Sequence, residues 1–136
     1  MSQLFPFVLP PYALAMGMTL AQHGEDNAIV SMEFGNHSTG RPGFLHGGAI
    51  GGLLEMAGFA TLSADLARRG VAQRMKPINI SIEYLRGGLP QPIHAVGEVL
   101  RAGRRVANVR VEAWQADRAA PVASCWMNFH LSAPKA

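Results

Sequence analysis

The residues of this chain with the clearest chemical potential lie at positions 43–64, where a His-Gly-Gly turn leads into an apolar run with one acidic residue, Glu55. Removing an unpaired carboxylate from water is costly, and a carboxylate in that state is a candidate general base or nucleophile. The competing interpretation is a structural ion pair between Glu55 and an arginine of the same or a partner chain. We favour a functional role for Glu55.

The turn that precedes this run, formed by His46, Gly47 and Gly48, marks the predicted start of a helix. The first backbone amides of a helix have no intrahelical partner and lie at the positive end of its dipole. Glycines also let a ligand approach the backbone closely. This helix start is therefore a candidate oxyanion hole. A tight turn that feeds a closely packed helix would use the same residues, so both interpretations stay open.

The spacing of these two features has a consequence for assembly. Gly48 and Glu55 share a helix face but lie about 10 Å apart along the axis at 1.5 Å per residue. The glutamate side chain leans towards the N-terminus of the helix, which narrows the gap without plainly closing it. Two antiparallel helices from two protomers would bring each helix start to the other chain's Glu55. We therefore predict a shared site in a homodimer.

The helix itself is predicted to run from Gly47 to about Arg69 and to stop at Gly70. It is apolar on nearly every side, so it must be buried in lipid or in a protein core. Glu55 in its middle, Asp65 near its end and the lack of a second such segment favour the protein core. We predict no membrane association.

The rest of the chain must supply the cover for this helix. Alternating apolar and polar residues predict strands, and a short helical turn is expected to pass into the first of them. The predicted segments are 12–22, 28–34, 75–85, 93–100, 107–114 and 123–131. Strands joined by short turns favour an antiparallel meander curled around the helix, an α+β fold with a single domain over residues 1–136. A second copy of the chain would cover the flank of the helix that this sheet leaves open.

Composition narrows the function classes. The chain has 49% hydrophobic and 15% charged residues, which excludes intrinsic disorder. The net charge is +3 and the arginines are scattered, so we predict no nucleic-acid binding. The five histidines show no paired spacing, and we predict no metal site. Cys125, within an apolar run, is interpreted as a core residue.

The N-terminal region contributes one further expectation. Residues 1–11 carry three prolines and are predicted to form neither a regular helix nor a central strand. The prolines interrupt the apolar residues there and no basic residue precedes them, which is atypical of a signal peptide. We expect a cytoplasmic protein.

Three motifs together resemble the hotdog-fold acyl-CoA thioesterases, and in particular their phenylacetic-acid-pathway (PaaI-like) branch. The motifs are Gly-Phe-Leu-His-Gly-Gly at 43–48 with an acid nine residues after the histidine, Ile-Asn-Ile-Ser-Ile-Glu-Tyr-Leu-Arg at 78–86, and Gly-Glu-Val-Leu-Arg-Ala-Gly-Arg at 97–104. The resemblance covers nearly the whole chain. It implies a long central helix wrapped by a curved antiparallel sheet of about five to six strands. It also implies side-by-side dimers that often pair into tetramers, and hydrolysis of acyl-CoA to CoA and a carboxylic acid without a cofactor.

The resemblance also assigns residues to roles. It implies that the amide at Gly48 polarises the thioester carbonyl, that Glu55 of the opposite subunit acts as base or nucleophile, and that His46 shapes the site. Gly47 and Asn36 are further candidates for substrate contact. The turn near Arg101, Arg104 and Arg105 corresponds to the place where CoA usually lies, so these arginines are candidate phosphate contacts. Their alternative interpretation is solvated turn residues.

One position departs from the family pattern. Many relatives carry a serine or threonine at the start of the strand near Ile78, where its hydroxyl helps to place water, and this chain has Pro77. Asn79 and Ser81 are the candidate replacements on that strand. The sequence therefore leaves the details of water activation open.

Two other functions compete with hydrolysis. A hotdog hydratase or dehydratase would act on related thioesters, but it uses a different arrangement of histidine and acid that this chain does not show. A non-catalytic acyl-CoA-binding module would share the fold and bind without turnover. The motifs do not indicate which acyl group is bound.

Overall fold

A 22-residue helix crosses the face of one six-stranded sheet in the computed structural model, which describes residues 7–23 and 27–134. The strands follow the order β1-β2-β4-β5-β6-β3, and all neighbours are antiparallel. The elements are α1 (Pro11–Ala15), β1 (Thr19–His23), β2 (Asn27–Met32), α2 (Gly47–Arg68), β3 (Arg74–Tyr84), β4 (Ile93–Ala102), β5 (Val106–Trp114) and β6 (Ala123–Ser132). The predicted helical turn followed by a strand corresponds to α1 and β1.

Helix α2 has the predicted bounds. His46 caps its start, and Gly70 follows its end with a φ of +70°, in the left-handed region that glycine adopts most readily. The helix is long and apolar enough to cross a membrane. However, 67% of its most apolar 18-residue stretch is buried inside the protein. A side chain at Gly58 would come within 2.4 Å of the Met127 sulfur, so the helix packs closely on β6. The sheet thus supplies the protein core that the apolar helix requires.

The alternation predicted for β5 and β6 is confirmed. Their inward residues are all 1% exposed or less, and they contact α2 or one another in the core. These residues are Ala107, Val109, Val111 and Ala113 on β5, and Ala123, Cys125, Met127, Phe129 and Leu131 on β6. The two strands form the floor against which the helix rests.

The prediction of a simple meander is wrong for β3. This strand follows α2 in sequence but pairs with β6 at the far edge of the sheet, while β4 pairs with β2. A helix of 22 residues is about 33 Å long, so it carries the chain across the sheet before the next strand begins. The short connection of residues 85–92 then returns the chain from β3 to β4, which lies three positions away in the sheet, so these two strands are neighbours in sequence but not in space.

Strand β3 is an exposed edge, and the apolar residues that alternate along it are only partly covered. Ile78 is 58% exposed and Tyr84 is 54% exposed. The pairing register shifts between Pro77 and Asn79, forming a bulge. Proline lacks an N–H and is tolerated at edges and bulges. The chain therefore presents an apolar sheet edge beside the open flank of α2.

Candidate active site

The loop between β2 and α2 holds His46 at the start of the helix. The His46 amide donates to the carbonyl of Ser38 at 2.8 Å, and Ser38 is fully buried. The Ser38 hydroxyl in turn accepts a hydrogen bond from the Gly35 amide at 3.0 Å. Sequence reasoning missed Ser38, because nothing in a run of small polar residues shows which one is buried. Asn36 is exposed in the same turn, two residues before Ser38.

The helix start is capped by its own histidine. The Gly48 amide donates to Nδ1 of His46 at 2.9 Å, and Gly48 is exposed. Because Nδ1 accepts this bond, a neutral His46 ring carries its proton on Nε2. The candidate oxyanion donor on Gly48 and a second N–H donor on His46 therefore lie two residues apart.

Strand β3 fixes the first peptide group of the helix. The Tyr84 hydroxyl donates to the Gly47 carbonyl at 2.9 Å. Among the described residues, none accepts a hydrogen bond from the Gly47 amide. Tyr84 belongs to the motif that suggested the family, but its contact with the helix start was not predicted.

Glu55 lies seven residues further along the same helix and is partly buried. It forms no hydrogen bond or ion pair with the described residues. The ion-pair interpretation thus lacks a partner within residues 7–23 and 27–134. The axial separation from Gly48 of about 10 Å follows from their positions in one continuous helix.

Cys125 lies in the core near Glu55. Burial raises the pKa of its thiol to about 12, and the negative charge of Glu55 contributes in the same direction. The thiol therefore stays protonated at neutral pH and is a poor nucleophile. The prediction that Cys125 is a core residue is confirmed.

Comparison with known proteins decides the family. Residues 37–130 match the family described as the acyl-CoA thioesterase N-terminal domain. This chain belongs to that family. The medium/long-chain acyl-CoA thioesterase YigI of Escherichia coli K12 is 31% identical over 118 residues, which cover 75% of this chain and 74% of that relative. The predicted acyl-CoA thioesterase is thus confirmed at the level of the family, and its PaaI-like branch stays a prediction.

Solved structures confirm the predicted hotdog fold. Thioesterase HI1161 from Haemophilus influenzae superposes with a TM-score of 0.80 at 17% identity, covering 90% of this chain and 82% of that one. The conserved protein PA5202 from Pseudomonas aeruginosa gives a TM-score of 0.77 at 26% identity, with coverages of 91% and 95%. A protein from Chromobacterium violaceum is 34% identical, with a TM-score of 0.72 and coverages of 92% and 85%.

Two candidate residues of the thioesterase site lie away from the helix start. Asn79 pairs in register with Asn128, and Ser81 pairs with Trp126. Asn128 and Trp126 alternate with the buried residues of β6, so this face of the sheet points away from α2. The Asn128 amide donates to the Asn79 side chain at 2.8 Å. Within one chain, therefore, neither Asn79 nor Ser81 joins the face that carries Gly48 and Glu55.

The candidate CoA contacts lie at the opposite end of α2 from Gly48. The Arg69 guanidinium donates to the Ala102 carbonyl at 3.4 Å, which places the β4–β5 turn beside the helix C-terminus. Arg104 and Arg105 line a shallow cavity of about 360 Å³ there. Arg101 pairs in register with Asn108 on the outer face of the sheet and does not line the cavity.

A larger cavity of about 420 Å³ also lies at this end of the helix, far from Gly48. It is mostly apolar, and Gln73 lines both cavities. Its lining residues are Ser63, Leu66, Ala67, Gly70, Val71, Ala72, Gln73, Arg74, Met75 and Pro134. Among the described residues, no cluster of three His, Cys, Asp or Glu side chains could hold a metal ion.

Proposed function

We propose that this thioesterase works at a site shared by two subunits, where the α2 start of one chain meets Glu55 of the other. The observation that carries the proposal is the relationship between the helix start, where Gly48 is exposed and its amide donates only to the His46 ring, and Glu55, which has no described partner. The two lie on one helix face about 10 Å apart along the axis, too far to act together on one small group. An antiparallel partner helix closes that distance.

The chemistry follows from two half-sites, the Gly48 amide of one subunit and the Glu55 carboxylate of the other. The Gly48 amide donates to the thioester carbonyl oxygen and stabilises the negative charge that develops there. Glu55 removes a proton from water while the water oxygen bonds to the carbonyl carbon. The carbon–sulfur bond then breaks, and the CoA sulfur leaves with a proton. Direct attack by the Glu55 carboxylate through an anhydride is the alternative course, and both yield a carboxylic acid and CoA.

The exposed edge of the sheet supports a homodimer. Ile78 and Tyr84 on β3 expose large apolar surfaces next to the flank of α2 that carries Gly48. A second copy would cover both the edge and the flank, and the same surface would serve each subunit. A further pairing of dimers into a tetramer belongs to this proposal. So do a cytoplasmic location and action without a cofactor.

The β4–β5 turn with Arg104 and Arg105, called the arginine turn below, then contributes to each site from the subunit that supplies Glu55. Along one helix, the axial distance from Gly48 to Arg69 is about 30 Å, but from Glu55 to Arg69 it is only about 20 Å. Arg104 and Arg105 lie at the Arg69 level. In the shared site, the arginines of the subunit that contributes Glu55 are thus about 10 Å nearer to the reacting carbon. We assign the CoA phosphates to them.

The acyl group is proposed from the relatives. The Escherichia coli relative is named a medium/long-chain acyl-CoA thioesterase. We therefore propose medium- and long-chain acyl-CoAs as substrates of this chain.

The test is a thiol-release assay with acyl-CoAs from four to sixteen carbons, together with phenylacetyl-CoA. We expect release of CoA with a preference for eight or more carbons, and loss of activity in Glu55→Ala. Addition of water to an enoyl-CoA without thiol release would instead indicate a hydratase. Tight binding of every acyl-CoA without turnover would indicate a binding module, and either result would overturn the proposal.

A further inference from the structure

The N-terminal segment lies along the flank of α2 that the sheet leaves open. The ring of Phe7 stacks on Phe59 with centroids 6.3 Å apart. Five residues later, Tyr12 packs against Gly52. The segment therefore runs antiparallel to α2, and Glu55 lies between its two contact points along the helix. Gly48 lies one helical turn beyond Tyr12.

The contact between Tyr12 and Gly52 depends on the absence of a side chain at Gly52. A Cβ atom built there would lie 2.2 Å from the Tyr12 hydroxyl oxygen and 2.9 Å from Cζ. Any other residue at position 52 would displace the tyrosine ring. Tyr12 is 46% exposed, and its hydroxyl forms no hydrogen bond with the described residues. The hydroxyl end of the ring thus lies against the helix backbone at Gly52, while nearly half of the residue's surface is accessible.

A second wall faces Tyr12 across the helix. At Gly51, a Cβ atom would lie 3.0 Å from Cδ1 of Ile82 on β3. Gly48, Gly52 and Glu55 follow the i, i+4, i+7 spacing of one helix face, and Gly51 borders this face on the β3 side. The result is a groove with a floor of glycine backbone, Tyr12 on one side and β3 on the other. The groove contains both proposed half-sites of its own chain.

We propose that Tyr12 is a specificity-determining residue, whose ring forms one wall of the acyl-binding groove beside Glu55. The inference rests on the proposed function, because it takes the groove to hold the acyl group of an acyl-CoA. The ring of Tyr12 sets the width of the groove that is available to the acyl group. It lies against the helix surface because Gly52 has no side chain there. Straight acyl chains fit between this wall and β3, whereas an aryl or branched group meets the ring.

The test compares kcat/KM for octanoyl-CoA and phenylacetyl-CoA in three variants. Tyr12→Ala removes the wall and should raise the ratio of phenylacetyl to octanoyl turnover about tenfold, the order expected for added space in an apolar pocket. Tyr12→Phe keeps the ring and should keep the wild-type ratio. Leu14→Ala, on the same short helix and 62% exposed, is the matched control and should also keep it. An unchanged ratio in Tyr12→Ala, or an equal shift in either other variant, would overturn the inference.

Gly52→Ala provides an independent check. In the wild-type background its methyl group displaces Tyr12 and should shift the ratio in the direction of Tyr12→Ala. In the Tyr12→Ala background the methyl group occupies vacated space, so the ratio should return towards the wild-type value. Additive shifts in the double variant would contradict direct contact between these residues. Thermal unfolding of each variant verifies that it is folded.

Failure of the proposed function would be visible separately. If the wild-type chain hydrolyses no acyl-CoA, the same comparison is made by calorimetric binding of octyl-CoA and phenylethyl-CoA thioethers, which cannot be hydrolysed. A tenfold change in their relative Kd in Tyr12→Ala would support the wall even then. An unchanged ratio of Kd would overturn it.

Discussion

The amide of Gly48 donates to Nδ1 of His46 at 2.9 Å, so the proposed oxyanion donor is occupied by the cap of its own helix. A thioester carbonyl that binds Gly48 must therefore displace the imidazole from this position. In the proposed mechanism the displaced ring turns its Nε2–H to the same carbonyl oxygen. We therefore propose two separable roles for His46, one in stabilising the helix and one in contact with the substrate.

Replacing His46 should separate these roles. His46→Ala removes the cap and should lower the free energy of unfolding by about 1 kcal/mol. His46→Ser restores a capping oxygen and should restore that stability, because serine is a preferred N-cap residue. Both variants lack the Nε2–H donor, and both should lose about tenfold in kcat/KM. Thermal unfolding and steady-state kinetics check the two effects; full activity in His46→Ser would mean that the histidine only caps the helix.

Glu55→Gln distinguishes a catalytic carboxylate from a structural one. The substitution keeps the shape of the side chain but removes its basicity, and kcat should fall by about 10² to 10⁴. Because Glu55 has no partner among the described residues, the free energy of unfolding should change by less than about 0.5 kcal/mol. The comparison requires the assay above and a denaturant titration. A loss of several kcal/mol in stability would show that an ion pair had been broken.

Cys125 should be chemically inert in the native protein. Burial raises the pKa of the Cys125 thiol from 9.0 to about 12, so below pH 9 the folded and the unfolded state both hold the proton. Above pH 9 the unfolded state releases its proton first, and stability should fall with rising pH by about 1.4 kcal/mol per unit until about pH 12. In a comparison with Cys125→Ala at pH 8 and 10.5, the wild-type chain should lose more stability. Equal losses, or rapid iodoacetamide labelling of the native chain at pH 8, would contradict this.

Substitutions in the arginine turn should weaken binding of the CoA phosphates and leave the hydrolytic step unchanged. The double variant with Arg104→Ala and Arg105→Ala should raise KM for an acyl-CoA about tenfold, because two charge-assisted contacts to phosphate are lost. It should leave an N-acetylcysteamine thioester of the same acid unaffected, since that substrate has no phosphates. The control is Arg118→Ala. The guanidinium of Arg118 stacks on Trp114 at the other end of β5. Equal effects on both substrates would refute the assignment.

The sequence predicted α2 closely because several local signals coincide there. The His-Gly-Gly turn, the apolar run and Gly70 each mark a boundary or a burial requirement that does not depend on distant residues. The inward residues of β5 and β6 were also predictable, because a two-residue alternation directly reports which face is buried.

What the sequence missed depends on contacts between distant segments. The pairing of β3 with β6, the contact of Tyr12 with Gly52 and the bond from Tyr84 to Gly47 join residues that are 37 to 58 positions apart. No local period encodes such pairs. Ser38 was missed for a different reason, because its burial follows from how the loop folds back on His46. The sequence thus identified the candidate residues, whereas the residues that contact them were identified only in the structure.

The central claim, that each site combines Gly48 of one subunit with Glu55 of the partner subunit, is tested most directly by mixing two inactive variants. Gly48→Pro removes the proposed oxyanion N–H at a position in the first helical turn that tolerates proline, while Glu55→Gln removes the base. In a co-expressed 1:1 mixture, half of the dimers are mixed and each mixed dimer has one intact site.

We therefore predict about a quarter of the wild-type activity in that mixture, from random pairing in a two-fold dimer. Each variant alone, and a mixture of separately purified chains that do not exchange subunits, should stay near background. Activity in the co-expressed mixture no higher than the mean of the two variants would contradict the shared site. It would indicate that Gly48 and Glu55 of the same chain act together.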